Sequence, residues 1–155
     1  MVARGLKWQK MRTINQLFAD FLTIKCTWRA WSLEKEGWVI TDDPLRLPFG
    51  RDIVLVDLGA SRTIAAERGE ERIAIEIKSF SNPSLIHDFH AALGQYLNYR
   101  LVIKRNDSNR KLFLAVPLET YQKFLERDLA REAIAEYNVS ILVYNAASEV
   151  IVQWS

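Results

Sequence analysis

The chain is predicted to fold as an α/β domain, a mixed β-sheet flanked by helices. Three observations carry that prediction. Aliphatic and β-branched runs such as Val54-Leu55-Val56, Ile73-Ala74-Ile75 and Ile141-Leu142-Val143 recur between turn residues, as strands do. Two longer stretches, near 84–104 and 120–137, separate such runs and carry apolar residues at helical spacing. The length of 155 residues, with 49% apolar and 26% charged, suits one soluble globular domain with its own core.

In order along the chain, residues from about 12 to 36 read as a helix, with Ile14, Leu17, Phe18, Phe21 and Leu22 on one face and Gly37 as its C-cap. Trp38-Val39-Ile40-Thr41 follows as a short strand, and Asp42-Asp43-Pro44 as a turn. Strands are then expected at about 51–58, 63–68 and 72–79, joined by turns at Gly59-Ala60-Ser61 and Gly69-Glu70. Ser84, after Asn82-Pro83, is an N-cap for a helix running through Tyr99 to about Lys104. Lys111 to Val116 reads as a strand ended by Pro117. A helix from Thr120 to about Tyr137 turns Tyr121, Phe124, Leu125 and Leu129 to the core, and strands at 139–144 and 150–154 close the chain.

Composition excludes several classes. With 21 basic and 19 acidic side chains, net charge +2 does not announce a nucleic-acid binder, although a local basic patch remains compatible with it. The single cysteine, Cys26, rules out an internal disulfide framework and fits a reducing cytosol. The apolar patch at 17–22 is interrupted by Asp20 and lacks the length of a membrane span, so no membrane association and a cytoplasmic location are expected.

The informative constellation is Asp57 with Glu76-Ile77-Lys78. Charged side chains within aliphatic strands carry a penalty of several kcal/mol unless paired. Counting through the two expected turns pairs Asp57 with Thr63 and Thr63 with Glu76, a row on one face that Lys78 shares by the two-residue period. Ile73, Ile75 and Ile77 then face a core. Mg²⁺ (or Mn²⁺) is a hard cation, and two carboxylates with a backbone carbonyl, here that of Ile77, make a usual protein share of its ligands. Such an ion activates water and stabilises phosphoryl charge, and Lys78 would orient the water or neutralise developing charge. The competing reading is a surface Glu/Lys pair with a separately solvated Asp57.

The blocks Val56-Asp57-Leu58-Gly59-Ala60, Ile64-Ala65-Ala66-Glu67, Ile75-Glu76-Ile77-Lys78-Ser79-Phe80 and Ala92-Leu93-Gly94-Gln95-Tyr96-Leu97-Asn98-Tyr99-Arg100 resemble the XisH family, as do Leu114-Ala115-Val116-Pro117 and Val152-Gln153-Trp154. The resemblance spans roughly residues 33 to 154. It implies a restriction-endonuclease-like, PD-(D/E)XK type fold and a role as an excision controlling factor for the fdxN element of cyanobacteria. On that pattern Asp57 is the core acid, Glu76 and Lys78 are the E-x-K, and Gln95 and Tyr99 match a Gln-x-x-x-Tyr pattern of some such nucleases. Their i, i+4 spacing places the last two on one helical face, for contact with a phosphate or base edge. DNA and a small XisI-type protein are the implied partners, and a homodimer is a further one. Residues 1 to 32 depart from the family pattern and read as a divergent helical extension of a domain at 33–155.

Other residues carry weaker signals. Glu34 stands where some such nucleases add a ligand, and Glu67, near a turn, is a weaker candidate to support a metal ligand without touching the ion. His87 and His90 form His-x-x-His but lack further soft ligands. Trp8, Trp28 and Trp31 read as core or dimer contacts. Arg100, Lys104, Arg105, Arg110 and Lys111 form a basic run suited to solvent or to a DNA backbone. A Mg²⁺-dependent DNA endonuclease is therefore the leading expectation. A non-catalytic accessory protein that binds DNA or a recombination partner is the alternative.

Overall fold

The computed structural model describes residues 32–63 and 70–155. Residues 12–31 of the helix expected over 12–36, residues 64–68 of the strand expected over 63–68, Glu67 and the tryptophans upstream of Trp38 lie outside these residues. From 32 to 35 the chain is helical, and Gly37 (φ +83°) ends that turn. Trp38 N–H donates to Leu33 O (3.1 Å) and Gly37 N–H to Glu34 O (3.0 Å), the two bonds of a Schellman motif that needs a residue at positive φ.

Eight strands follow among the described residues. β1 is Val39–Asp42, β2 Leu45–Phe49, β3 Asp52–Val56, β4 Leu58–Thr63, β5 Glu70–Ile77, β6 Arg110–Pro117, β7 Ile141–Asn145 and β8 Val150–Trp154. Six form one mixed sheet in the order β1-β4-β5-β6-β7-β8, with β5, β6 and β7 parallel and the outer pairs antiparallel. The parallel connections are made by helices, as crossovers require. Helix α1 (Leu85–Asn106) joins β5 to β6, and Ser84 Oγ caps it by accepting from His87 N–H. Between β6 and β7 lie α2 (Leu118–Thr120), a π-helical turn over Tyr121–Leu125, and α3 (Asp128–Glu136). This is the helix-flanked mixed sheet that the sequence implies. No helix among the described residues is long and apolar enough to cross a membrane.

Each face of the sheet buries its own core. On one, Ala74, Leu112, Leu114, Val116 and Val143 meet Phe89, Ala92, Tyr96 and Ile103 of α1 and Phe124 and Leu125 of the π turn. On the other, Leu58, Ala60, Ile73, Ile75 and Leu142 meet Leu33 and Trp38. The two-residue period of β5 sends Ile73 and Ile75 to the second face, as expected, and Ala74 and Glu76 to the first.

Three expectations are corrected. Residues 59–61 are not a turn: Gly59, Ala60 and Ser61 lie within β4, paired to Ala74, Ile73 and Arg72. A Cβ at Gly59 would sit 2.9 Å from Arg110 Nη1 and from Asp42 Oδ2, so a larger residue there would require those side-chain ends to shift. The strand before Asp57 pairs instead with β2, in a hairpin closed at Gly50 (φ +63°) and Arg51. Glu70 opens β5 opposite Thr63, so the row linking Thr63 to Glu76 does not form. The helix expected over 120–137 breaks at Arg127, whose ψ of 150° is extended. That break resets the helical phase, so Ala130 is buried while Leu129 is 60% exposed.

Candidate functional site

Asp57 is the single residue between β3 and β4, where the chain leaves the hairpin for the main sheet. Extending the pairing of Leu58 with Ile75 by one step sets Asp57 opposite Glu76, on the α1 side. The turn-counting register is therefore wrong, yet Asp57 and Glu76 meet, directly rather than through Thr63. Asp57 Oδ2 accepts from Ile77 N–H at 2.8 Å, taking the place of a strand partner that β4 starts too late to supply.

Glu76 is 3% exposed, and its Oε1 lies 2.8 Å from Lys78 Nζ. Burial pushes the Glu76 carboxyl above the ordinary glutamate range; the Lys78 hydrogen bond opposes that rise, and the Asp57 charge adds to it. The pair also stands at the carboxyl end of a parallel strand, beside the β5–α1 connection, the usual place for ligands in sheets of this kind.

The oxygen atoms here suit a hard divalent cation. Asp57 and Glu76 supply two carboxylates, and Lys78 occupies only part of the lone-pair capacity of Glu76. In an extended residue N–H and C=O point to the same side, so the Ile77 carbonyl is directed toward Asp57, as its N–H is. Asp57, Glu76 and the Ile77 carbonyl could thus hold Mg²⁺ or Mn²⁺ with water completing the shell.

Gln95 and Tyr99 are half-buried on α1, and Gln95 Nε2 donates to Tyr99 Oη. Helical spacing aligns them with Asp88, Ala91 and Ala92 on one stripe. Asp88, Ala91 and Ala92 of that stripe wall a groove of about 310 Å³, bounded opposite by Lys78, Ser79, Ser81 and Asn82, and Gln95 and Tyr99 lie further along α1, outside its lining. Among the described residues the Gln95–Tyr99 pair makes no direct bond to Asp57, Glu76 or Lys78.

Sequence reasoning missed Asp88 and Asn82 as parts of this groove. Asp88 accepts from the Asn82 side chain and, at 3.0 Å, from its backbone N–H. Those two bonds, the side-chain one foremost, hold the Asp88 carboxyl below the ordinary range. Phe80, in the same loop, is buried at φ +50°, a strained conformation for a bulky residue. The adjacency of Asn82 and an acid in the next helical turn was the one available signal.

The remaining candidates among the described residues do not join the site. Glu34 is exposed on the helical turn whose Leu33 packs on the opposite face of the sheet. His87 and His90 are exposed on α1. The basic run is largely engaged in holding the fold: Arg100 donates to the Tyr137 and Asn138 carbonyls, Arg110 to Asp107 and Ile73 O, and Lys111 lies 3.9 Å from Glu71.

Comparison with known proteins matches residues 29–152 to the family described as XisH protein. No curated protein matches. Among solved structures, an XisH family protein from Nostoc punctiforme PCC 73102 is 42% identical. The match covers 84% of this chain and 98% of that one, with a TM-score of 0.76. An fdxN element excision controlling factor protein from Anabaena variabilis is 41% identical over 85% of this chain and 98% of its own, also with a TM-score of 0.76.

Proposed function

The chain belongs to the XisH family, and from that premise we propose that it acts on DNA in excision of an fdxN-type element, as a Mg²⁺-dependent endonuclease. The observation that carries the reading is the convergence of Asp57, buried Glu76 and Lys78 at the carboxyl end of β5. An acid 3% exposed beside a second acid is unfavourable for stability alone, and a binding module has no need of it.

In this reading Asp57, Glu76 and the Ile77 carbonyl hold the ion. When bound, Mg²⁺ or Mn²⁺ supplies an acidified water and charge stabilisation at the phosphoryl group. Lys78, partly exposed toward the groove, orients that water and offsets developing negative charge. The Ile77 N–H fixes the rotamer of Asp57. Gln95 and Tyr99 contact the DNA along the same helical stripe.

The test incubates the full chain with supercoiled and branched DNA in Mg²⁺, Mn²⁺ and EDTA, beside Glu76→Gln and Asp57→Asn. Cutting in the metal arms, absent in EDTA and reduced about 100-fold or more in both variants, is expected. Cutting that survives both substitutions would sink the site. DNA binding without cutting of any substrate would favour the second reading, an accessory protein that engages DNA or an XisI-type partner. The observation on that side is the near balance of 21 basic and 19 acidic residues, with most described arginines engaged internally.

A further inference from the structure

Unpaired positive charge is unevenly placed over the described residues. Among the described residues, Arg62 pairs with Glu71, Arg72 and Arg110 with Asp107, and Arg131 with Asp128, while Arg100 and Arg127 donate to backbone carbonyls. The described guanidinium groups bonded to no carboxylate or carbonyl are Arg46, Arg51 and Arg105. All three gather at the β2–β3 hairpin. Arg46 lies on β2 and Arg51 in the turn, both exposed, and Arg105 stacks 5.0 Å from the Phe49 ring centroid. Exposed Lys104 adjoins them on the last turn of α1.

The hairpin itself is two-faced. Leu45, Leu47, Val54 and Val56 turn inward to the α1 core. The outward positions are Arg46 paired with Leu55 and Pro48 paired with Ile53, and Ile53 and Leu55 are 59% and 45% exposed. Among the described residues, Arg46, Arg51, Lys104 and Arg105 outnumber the nearby exposed acids, Asp43 and Asp52. β3 also runs directly into Asp57, so the turn at Arg51 stands six residues, or ~20 Å, from the candidate site along an extended strand. That reach matches about six steps of a duplex at ~3.4 Å each.

We infer that the outward face of the β2–β3 hairpin, with the last turn of α1, is a DNA-contact surface flanking the Asp57 site. Arg46 takes a backbone phosphate on that face, Arg51 one at its turn and Arg105 one at its edge, from the last turn of α1, and Ile53 and Leu55 lie against the sugars between them. This rests on the DNA-acting reading and extends it: it says where the duplex runs from the site.

The test measures anisotropy of a labelled 30-base-pair duplex with the full chain in EDTA, across a salt series. Wild type is compared with Arg46→Glu/Arg51→Glu and with Lys123→Glu/Arg131→Glu, which changes net charge equally at the π turn and α3. The hairpin variant should bind about tenfold or more weakly, with a log K against log salt slope shallower by ~2, while the control changes little. Equal losses in both variants would reduce the effect to net charge and overturn the inference. Wild-type binding that the hairpin variant fully retains would overturn it while leaving the DNA-acting reading intact. No binding by wild type would sink both. Should Ile53→Ser/Leu55→Ser change the oligomeric state and leave DNA affinity untouched, the face is a protein interface and the inference fails.

Discussion

Replacing Lys78 with methionine keeps the aliphatic stem and removes the charge that accompanies Glu76. The ammonium is 2.8 Å from Glu76 Oε1, with the lysine side chain 29% and the glutamate side chain 4% exposed. Removing one partner of a fully buried pair costs about 3–5 kcal/mol. Here the loss is smaller, because Lys78 is partly solvated and Glu76 can take up a proton instead. About 2 kcal/mol at pH 8 is expected, or roughly 4–8 °C in Tm for a chain of this size. The pH dependence has a definite sign. Burial raises the folded-state pKa of Glu76 above its unfolded value, so the folded chain holds the proton more tightly. Stability therefore falls as pH rises from the ordinary glutamate range through that raised pKa. Without Lys78 the folded pKa rises further, and the deficit of Lys78→Met widens over the same window. Urea unfolding at pH 5 and pH 8 should show a small loss at pH 5 and the full loss at pH 8. Glu76→Gln in the same background should abolish the difference, with a coupling on the order of 1 kcal/mol at pH 8 in the double-mutant cycle. A loss that is independent of pH, or strictly additive effects, would refute the pairing and the protonation argument together.

Two further outcomes follow from the supports of the site. The Tyr96 hydroxyl is buried, donating to Leu112 O at 3.1 Å and accepting from Ser140 N–H at 3.0 Å, so it ties α1 to β6 and to the entry of β7. Tyr96→Phe should lose about 2 kcal/mol and speed exchange of the Ser140 amide, since two buried backbone groups lose their partner; an unchanged unfolding midpoint would argue against that tie. Phe80→Gly relieves the strain at φ +50°, worth ~1–2 kcal/mol. It also deletes a buried ring that packs on Phe124, which costs about 3–5 kcal/mol. A net loss of about 2 kcal/mol is expected, and a variant as stable as wild type would show that the ring contributes little to the loop behind Lys78.

Local rules made a large part of this protein legible without its coordinates. The Schellman end at Gly37, the Ser84 cap, α1 and the alternation of β5 rest on contacts within a few residues, and each follows from residue type and spacing. So does the shared face of Glu76 and Lys78, two residues apart on one strand. The tertiary structure alone decided what lies across from them. Pro44 and Pro48 disguised β2, and Gly59 read as a turn because its pairing with Ala74, which places it inside β4, involves a residue distant in sequence. Strand pairing carries one free integer, the register, and nothing in Asp57 or Glu76 by itself sets it. The meeting of Asp57 with Glu76, and the Asp88–Asn82 wall of the groove beside Lys78, come from packing between β4, β5 and α1, where partners are chosen by shape and burial rather than by distance along the chain.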